Sequence, residues 1–185
     1  IILLTPAGQR RALFATTSLR QQIVRGLMPI GVGVSMVFAV RYLPLAEATV
    51  ILFSSPFAVV ALAGPLLGER VRPASLVGVV VGFAAVLLVA RPGLGHVSVY
   101  ALFPLAAAAF YTFYQLMTRG LANRGERPRT TLARTLVTGT AISAPLALLT
   151  WQPVSLTAWG LMAALGLVYG LAQYLMIQAF AGGLR

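Results

Sequence analysis

The sequence predicts an all-α polytopic membrane protein with six complete transmembrane helices, and three observations carry that reading. First, 59% of the 185 residues are hydrophobic, mean hydropathy is +0.90 and only 9% are charged. A soluble domain has about 25% charged residues, so this chain has too few charges to cover a water-facing surface. Second, the apolar residues gather into six runs near the roughly 20 residues that a helix needs to cross a bilayer core about 30 Å thick. Third, the charges between those runs favour alternate gaps.

In chain order the runs are 24–43, 45–67, 75–90, 97–117, 131–150 and 156–180, the third being the shortest. The gaps at 68–73 and 91–95 are tight, which makes sequence neighbours antiparallel because no chain is left to cross back. Pro29, Pro56, Pro65, Pro104 and Pro145 fall inside or near the runs. Such positions are costly in soluble helices, whereas neighbours and hydroxyls in a membrane bundle can satisfy the freed carbonyls. Gly31 with Gly33, Gly78 with Gly82, and Gly166 with Gly170 offer small faces for helix contact. The Gly78/Gly82 spacing marks packing and admits a homodimer without requiring one. The chain opens Ile1-Ile2-Leu3-Leu4, read as the last turn of a membrane helix begun upstream rather than as a leader. It stops at Gly182-Gly183-Leu184-Arg185 with no polar tail, so the expectation is a chain incomplete at both ends.

The charges orient these runs. All 14 cations are arginines, the acids are Glu47, Glu69 and Glu126, and the net charge is +11. Such a charge can mark a nucleic-acid partner, but here the arginines sit in short breaks between apolar runs and form no exposed stripe. Counting from the gap before the first run, one side receives twelve arginines and the other only Arg41 and Arg91. The positive-inside rule makes the rich side cytoplasmic. There is no cysteine, which excludes thiol chemistry, and His96 alone cannot build a metal site. With no acid pair and no Ser/His/Asp set, an enzyme is a poor reading. No cofactor is expected.

Several polar residues could nevertheless serve a solute. Glu47 opens the second run, where the helix dipole favours a carboxylate; it is an interfacial cap or it lines an outer mouth. Glu69 lies at the opposite rim, beside Arg70, and reads as structural. Ser54-Ser55-Pro56 lies near mid-membrane, where Pro56 cannot donate to the Leu52 carbonyl. Either the serine hydroxyls satisfy that carbonyl, or a kink opens backbone to a cavity as in broken transporter helices. Tyr111, Tyr114, Gln115 and Thr118 recur at helical spacing, as do Tyr169 and Gln173. An amide facing lipid is costly, so Gln115 and Gln173 should point into the bundle. Tyr100, Trp151 and Trp159 read as interfacial belt residues. Residues 120–131, with Asn123, Glu126 and several arginines, read as a solvated hinge, where contact with lipid headgroups would be nonspecific.

The run Arg41-Tyr42-Leu43-Pro44-Leu45-Ala46-Glu47-Ala48, the turn Gly68-Glu69-Arg70-Val71 and the stretch from Val77 to Arg91-Pro92-Gly93 together resemble the EamA repeat of the drug/metabolite transporter superfamily. Residues 173–180 look like the matching part of a second repeat, and Gly26-Leu27-Met28 is echoed at Gly160-Leu161-Met162. The resemblance implies a bundle of ten helices in two inverted repeats of five, with both termini cytoplasmic. Residues 1–95 would be the C-terminal part of the first repeat and 96–185 the N-terminal part of the second. The chain would then hold the tail of helix 2 and helices 3 to 8. The resemblance further implies a multi-pass protein of the bacterial inner membrane that exports a small metabolite such as an amino acid. Its cavity would be lined by Ser54, Ser55, Tyr111, Tyr114, Gln115, Tyr169 and Gln173, with Glu47 at the mouth. The expected partners are the lipid bilayer and a small-molecule substrate. A membrane scaffold and a nonfunctional transporter fragment are the rival readings.

Overall fold

The computed structural model describes residues 16, 18–68, 73–90, 99–149 and 151–182. Among these residues the regular structure is entirely helical. The α-helices are α1 (Leu19–Tyr42), α2 (Leu45–Leu52), α3 (Ser55–Leu67), α4 (Pro73–Ala90), α5 (Leu102–Asn123), α6 (Pro128–Leu149) and α7 (Leu156–Gly182), with a short 3-10 turn at Val99–Ala101 leading into α5. Each predicted run is therefore helical over its described residues, the second one as α2 and α3 in succession. Five segments are long and apolar enough to cross a membrane: Leu19–Tyr42, Leu45–Leu67, Val99–Asn123, Pro128–Leu149 and Leu156–Met176. The third predicted run forms α4, whose apolar stretch Pro73–Val86 is shorter. At 1.5 Å per residue, 18 helical residues reach about 27 Å, a little less than the hydrocarbon thickness, and local thinning of the bilayer accommodates such a deficit. Glu69, Arg70, Val71, His96 and the Arg91-Pro92-Gly93 terminus lie outside the described residues.

Apolar side chains cover the outside. On α7, Leu156 is 88% exposed and Leu167 is 76% exposed; on α6, Leu149 is 83% exposed. A water-soluble protein rarely leaves so continuous an apolar surface bare. The helices satisfy their own backbone groups, and this surface belongs against hydrocarbon.

The helices pack as two compact units, one of Met28–Met117 and one of Ile1–Leu27 with Thr118–Arg185. These units reflect contact and are drawn on a different basis from the sequence segments 1–95 and 96–185. In the unit Met28–Met117, α1 and α5 run antiparallel. Tyr42 stacks on Tyr100 at 4.2 Å and Phe38 on Phe103 at 5.5 Å, and Gly31 lies against the ring of Phe110. Helix α3 runs parallel to α5, with Ser55 beside Thr112 and Val59 and Ala63 in one cluster with Leu116. Helix α4 packs on α2 and α3, and Gly82 sits against the ring of Phe57. The predicted small-residue faces are thus used at Gly31 and Gly82, while Gly33, Gly78, Gly166 and Gly170 face open space.

In the other unit the start of α1 runs parallel to α6. Gln22 meets Thr131, Arg25 meets Thr131 and Thr135, and Gly26 lies against Thr138. Helix α6 packs on α7. The turn from α5 to α6 closes on Gly125, whose φ of 77° lies in the left-handed region. The Glu126 amide donates to the Leu121 carbonyl and the Gly125 amide to the Ala122 carbonyl, the paired bonds of a Schellman closure, in which glycine avoids the penalty of a Cβ. Within each unit these directions agree with the alternation of the predicted runs that form α1, α3, α5 and α6. Helices expected to start on one side, α1 and α6, are parallel, and α1 and α5 are opposed.

Candidate functional site

The second span is disturbed where Ser54-Ser55-Pro56 predicted it: the regular hydrogen bonding lapses at Ser54, while Phe53 and Ser54 both keep right-handed helical backbone angles. Helix α2 ends at Leu52, the Phe53 and Ser54 amides bond back to the Thr49 and Ile51 carbonyls, and α3 restarts at Ser55. Pro56 falls in the first turn of α3, where a missing N–H costs nothing because that donor would be unpaired anyway. Ser54 makes no side-chain capping bond. The hydroxyl that approaches the break comes from α5: Thr112 Oγ1 donates to the Ala108 carbonyl at 2.7 Å and lies 3.4 Å from the Ser55 carbonyl. Ser55 is buried and Ser54 half-buried.

The polar stripe of α5 faces inward. Tyr114 and Thr118 are each only 1% exposed, and Tyr111 and Gln115 are half-buried. Tyr111 and Tyr114 stack with ring centres 6.3 Å apart. Thr112 lies on the same turn, which places Ser55 of α3 beside this stretch of α5. Glu47 is half-buried in the first turn of α2, a position that suits a cap and a path-lining group alike. At the open end of α1, Arg41 lies over the Tyr42 ring at 5.9 Å, and Tyr42 and Tyr100 form an aromatic pair of the kind found at membrane interfaces. In the other unit Gln173 is buried on α7 while Tyr169 is exposed. Trp151 and Trp159 pack against each other at 5.9 Å at the start of α7.

The two most buried polar side chains of the described residues lie near the start of α1, and one is an arginine counted among the twelve of the cytoplasmic side. Arg25 is fully buried on α1, because α1 begins at Leu19 and carries Gln22 and Arg25 as helix. The start of a helix forms where tertiary neighbours reward it, and here the neighbours are threonines. Arg25 Nη1 donates to Thr118 Oγ1 at 3.1 Å, and Nη2 donates to the Thr131 carbonyl and to Thr135 Oγ1. Thr135 Oγ1 also donates to the Thr131 carbonyl at 2.9 Å. Gln22, equally buried, donates from Nε2 to Thr131 Oγ1 at 3.4 Å. One guanidinium thereby ties α1 to α5 and α6, and its fixed fork of donors suits that task. With both terminal nitrogens engaged by threonines, it is a packing node in this arrangement. The helical spacing of Gln22 with Arg25, and of Thr131 with Thr135, was the available signal.

Described residues that are helical wherever they are regular, with several spans long and apolar enough to cross a bilayer and polar side chains turned inward, define a polytopic α-helical membrane protein. The chain belongs to the EamA-like transporter family, whose model matches residues 1–91. It is 32% identical over 151 residues to a riboflavin transporter of Brucella anthropi, covering 78% of this chain and 53% of that protein. It is 30% identical over 164 residues to a pseudopaline exporter of Pseudomonas aeruginosa, covering 86% of this chain and 56% of that protein. A riboflavin transporter of Vibrio cholerae is 29% identical over 153 residues, with coverage of 81% and 51%. The chain thus spans a little over half the length of these curated relatives. No solved structure matches it.

Proposed function

We propose that the protein carries a small polar metabolite across the bacterial inner membrane, in the export direction, by alternating access. The carrying observation is the break between α2 and α3, where Ser55 backbone and the Thr112 hydroxyl meet inside an apolar span. Interrupted helices present backbone groups to substrates in many transporters, and the lapse in hydrogen bonding at Ser54 and Pro56 is a mild form of such an interruption. On this reading Ser54, Ser55, Tyr111, Tyr114 and Gln115 line the path and Glu47 stands at its mouth, while Tyr169 and Gln173 of α7 are the sequence-based candidates of the other unit. The arginine-rich side is cytoplasmic by the positive-inside rule. The two repeats meet near residue 95, a boundary supported by the family match to residues 1–91.

The relatives named for riboflavin and pseudopaline support a small organic cargo, and an amino acid remains the sequence-based expectation. The test is counterflow of radiolabelled riboflavin and of a panel of labelled amino acids in proteoliposomes containing the protein. At least one solute is expected to be carried, and Gln115→Ala and Gln173→Ala are each expected to reduce its flux about tenfold or more, since a buried polar contact contributes about 1–2 kcal/mol. Full flux in both variants at normal protein levels would reject this lining.

A further inference from the structure

The turn between α5 and α6 carries a basic surface that a transport path does not use. Arg124 and Arg127 are exposed on the turn, and Arg129 is exposed in the first turn of α6. A second segment is fastened beside them. Arg124 Nη1 donates to Gln21 Oε1 at 2.8 Å, and Thr16 Oγ1 donates to Glu126 Oε1 at 2.6 Å. The start of α1 is therefore held against the turn, bringing exposed Arg20, the residue before Gln21, to the same end of this unit. Four exposed arginines and one glutamate, which accepts from the Thr16 hydroxyl, lie at this end of the unit. The surface joins two helices long and apolar enough to cross a membrane, α5 ending at Asn123 and α6 beginning at Pro128, so a turn between them is expected at headgroup depth.

We propose that Arg20, Arg124, Arg127 and Arg129 form a binding surface for the phosphodiester headgroups of anionic phospholipids. Charge complementarity selects this occupant. An anionic leaflet concentrates negative charge within a Debye length of the surface and attracts clustered basic residues beside a membrane helix. Arginine suits the task because its planar fork grips phosphate oxygens in pairs and its charge is permanent. The Schellman closure on Gly125 fixes the turn, so the three arginines on its two sides are presented without a flexible loop to order. The surface has no part in the cargo site, and its existence does not depend on which solute is carried.

The experiment reconstitutes the full chain in nanodiscs or neutral detergent and measures binding of fluorescent phosphatidylglycerol against phosphatidylcholine. Preference for phosphatidylglycerol is expected, falling about fivefold for each arginine neutralised in Arg127→Gln and Arg129→Gln and weakening as salt rises. Arg41→Gln, at the opposite end of α1, is expected to leave it unchanged. Both turn substitutions are at exposed positions, and an unaltered melting temperature separates lost lipid from lost fold. Equal binding of the two lipids, or full phosphatidylglycerol binding by the double variant, overturns the proposal. So does competition by millimolar inorganic phosphate as effective as that by the lipid, which would mark a free-phosphate site.

Discussion

The two packing units solve the same problem with opposite chemistry. In Met28–Met117 the contacts are small and aromatic: Ala39, Ala48 and Ala107 are fully buried, glycines lie under Phe57 and Phe110, and Tyr42 stacks on Tyr100. In the unit built around the start of α1 polar side chains prevail among the buried ones, with Gln22, Arg25, Thr118, Thr130 and Thr131 beside Leu121, Leu132 and Ala133. Within a bilayer the hydrophobic effect gives helices no reason to prefer one another over lipid. Close van der Waals packing and interhelical hydrogen bonding are the two remaining means of association, and each unit relies chiefly on one. The polar unit should therefore be brittle to single substitutions, and the apolar unit tolerant.

Arg25→Leu puts that contrast under the greatest strain. It removes three hydrogen bonds at once and leaves the Thr131 carbonyl and two hydroxyls to find other partners. At about 1 kcal/mol for each bond, with additional cost for buried groups left unmet, the loss is roughly 2–4 kcal/mol. Thermal unfolding in mild detergent should show the lower midpoint. A variant that melts with the wild type would mean that the threonines contribute nothing through this guanidinium.

A second comparison sets one glycine against another. A Cβ added at Gly26 would lie 2.7 Å from the Cβ of Thr138, an atom fixed to the α6 backbone, so the two helices must separate. A Cβ added at Gly82 would strike the tip of the Phe57 ring, which can swing aside. Gly26→Ala should cost roughly 1–3 kcal/mol as overpacking against fixed backbone, and Gly82→Ala less than about 1 kcal/mol, since helix propensity favours alanine. Melting temperatures of the two variants in the same detergent give the order, and the reverse order would undo the distinction between rigid and yielding contacts.

Much of the fold was legible because a membrane helix announces itself by composition. The six runs need no partner to be recognised, and the alternation of arginines orders them before any contact is known. The stripe Tyr111, Tyr114, Gln115 and Thr118 was readable from helical spacing, and Tyr114 and Thr118 are buried. The position of Arg25 was not. A count of arginines by side treats each as solvated, while burial of this one depends on Thr131 and Thr135, more than 100 residues away in sequence. The α2/α3 break was half-readable. Pro56 announced a disturbance, but the regular hydrogen bonding lapses already at Ser54, ahead of the proline, with the backbone still at right-handed helical angles, and the Thr112 hydroxyl arrives from another helix.

The smallest effect belongs to that break. Thr112→Val keeps the shape of the side chain and removes a hydroxyl that bonds the Ala108 carbonyl of its own helix and reaches the Ser55 carbonyl at 3.4 Å. The Ala108 carbonyl also belongs to the helix ladder, so it loses a second partner and not its first. The contact with Ser55 is at the long end of hydrogen bonding, and single interhelical bonds in membranes average only about 0.6 kcal/mol. Thr112→Val is therefore expected to lower stability by roughly 0.5 kcal/mol, near the limit of a melting measurement. A loss as large as that of Arg25→Leu would mean that the apolar unit also hangs on one polar bond. The division of labour between the two units would then fail at the place where the transport reading needs a backbone carbonyl that can be released to a solute.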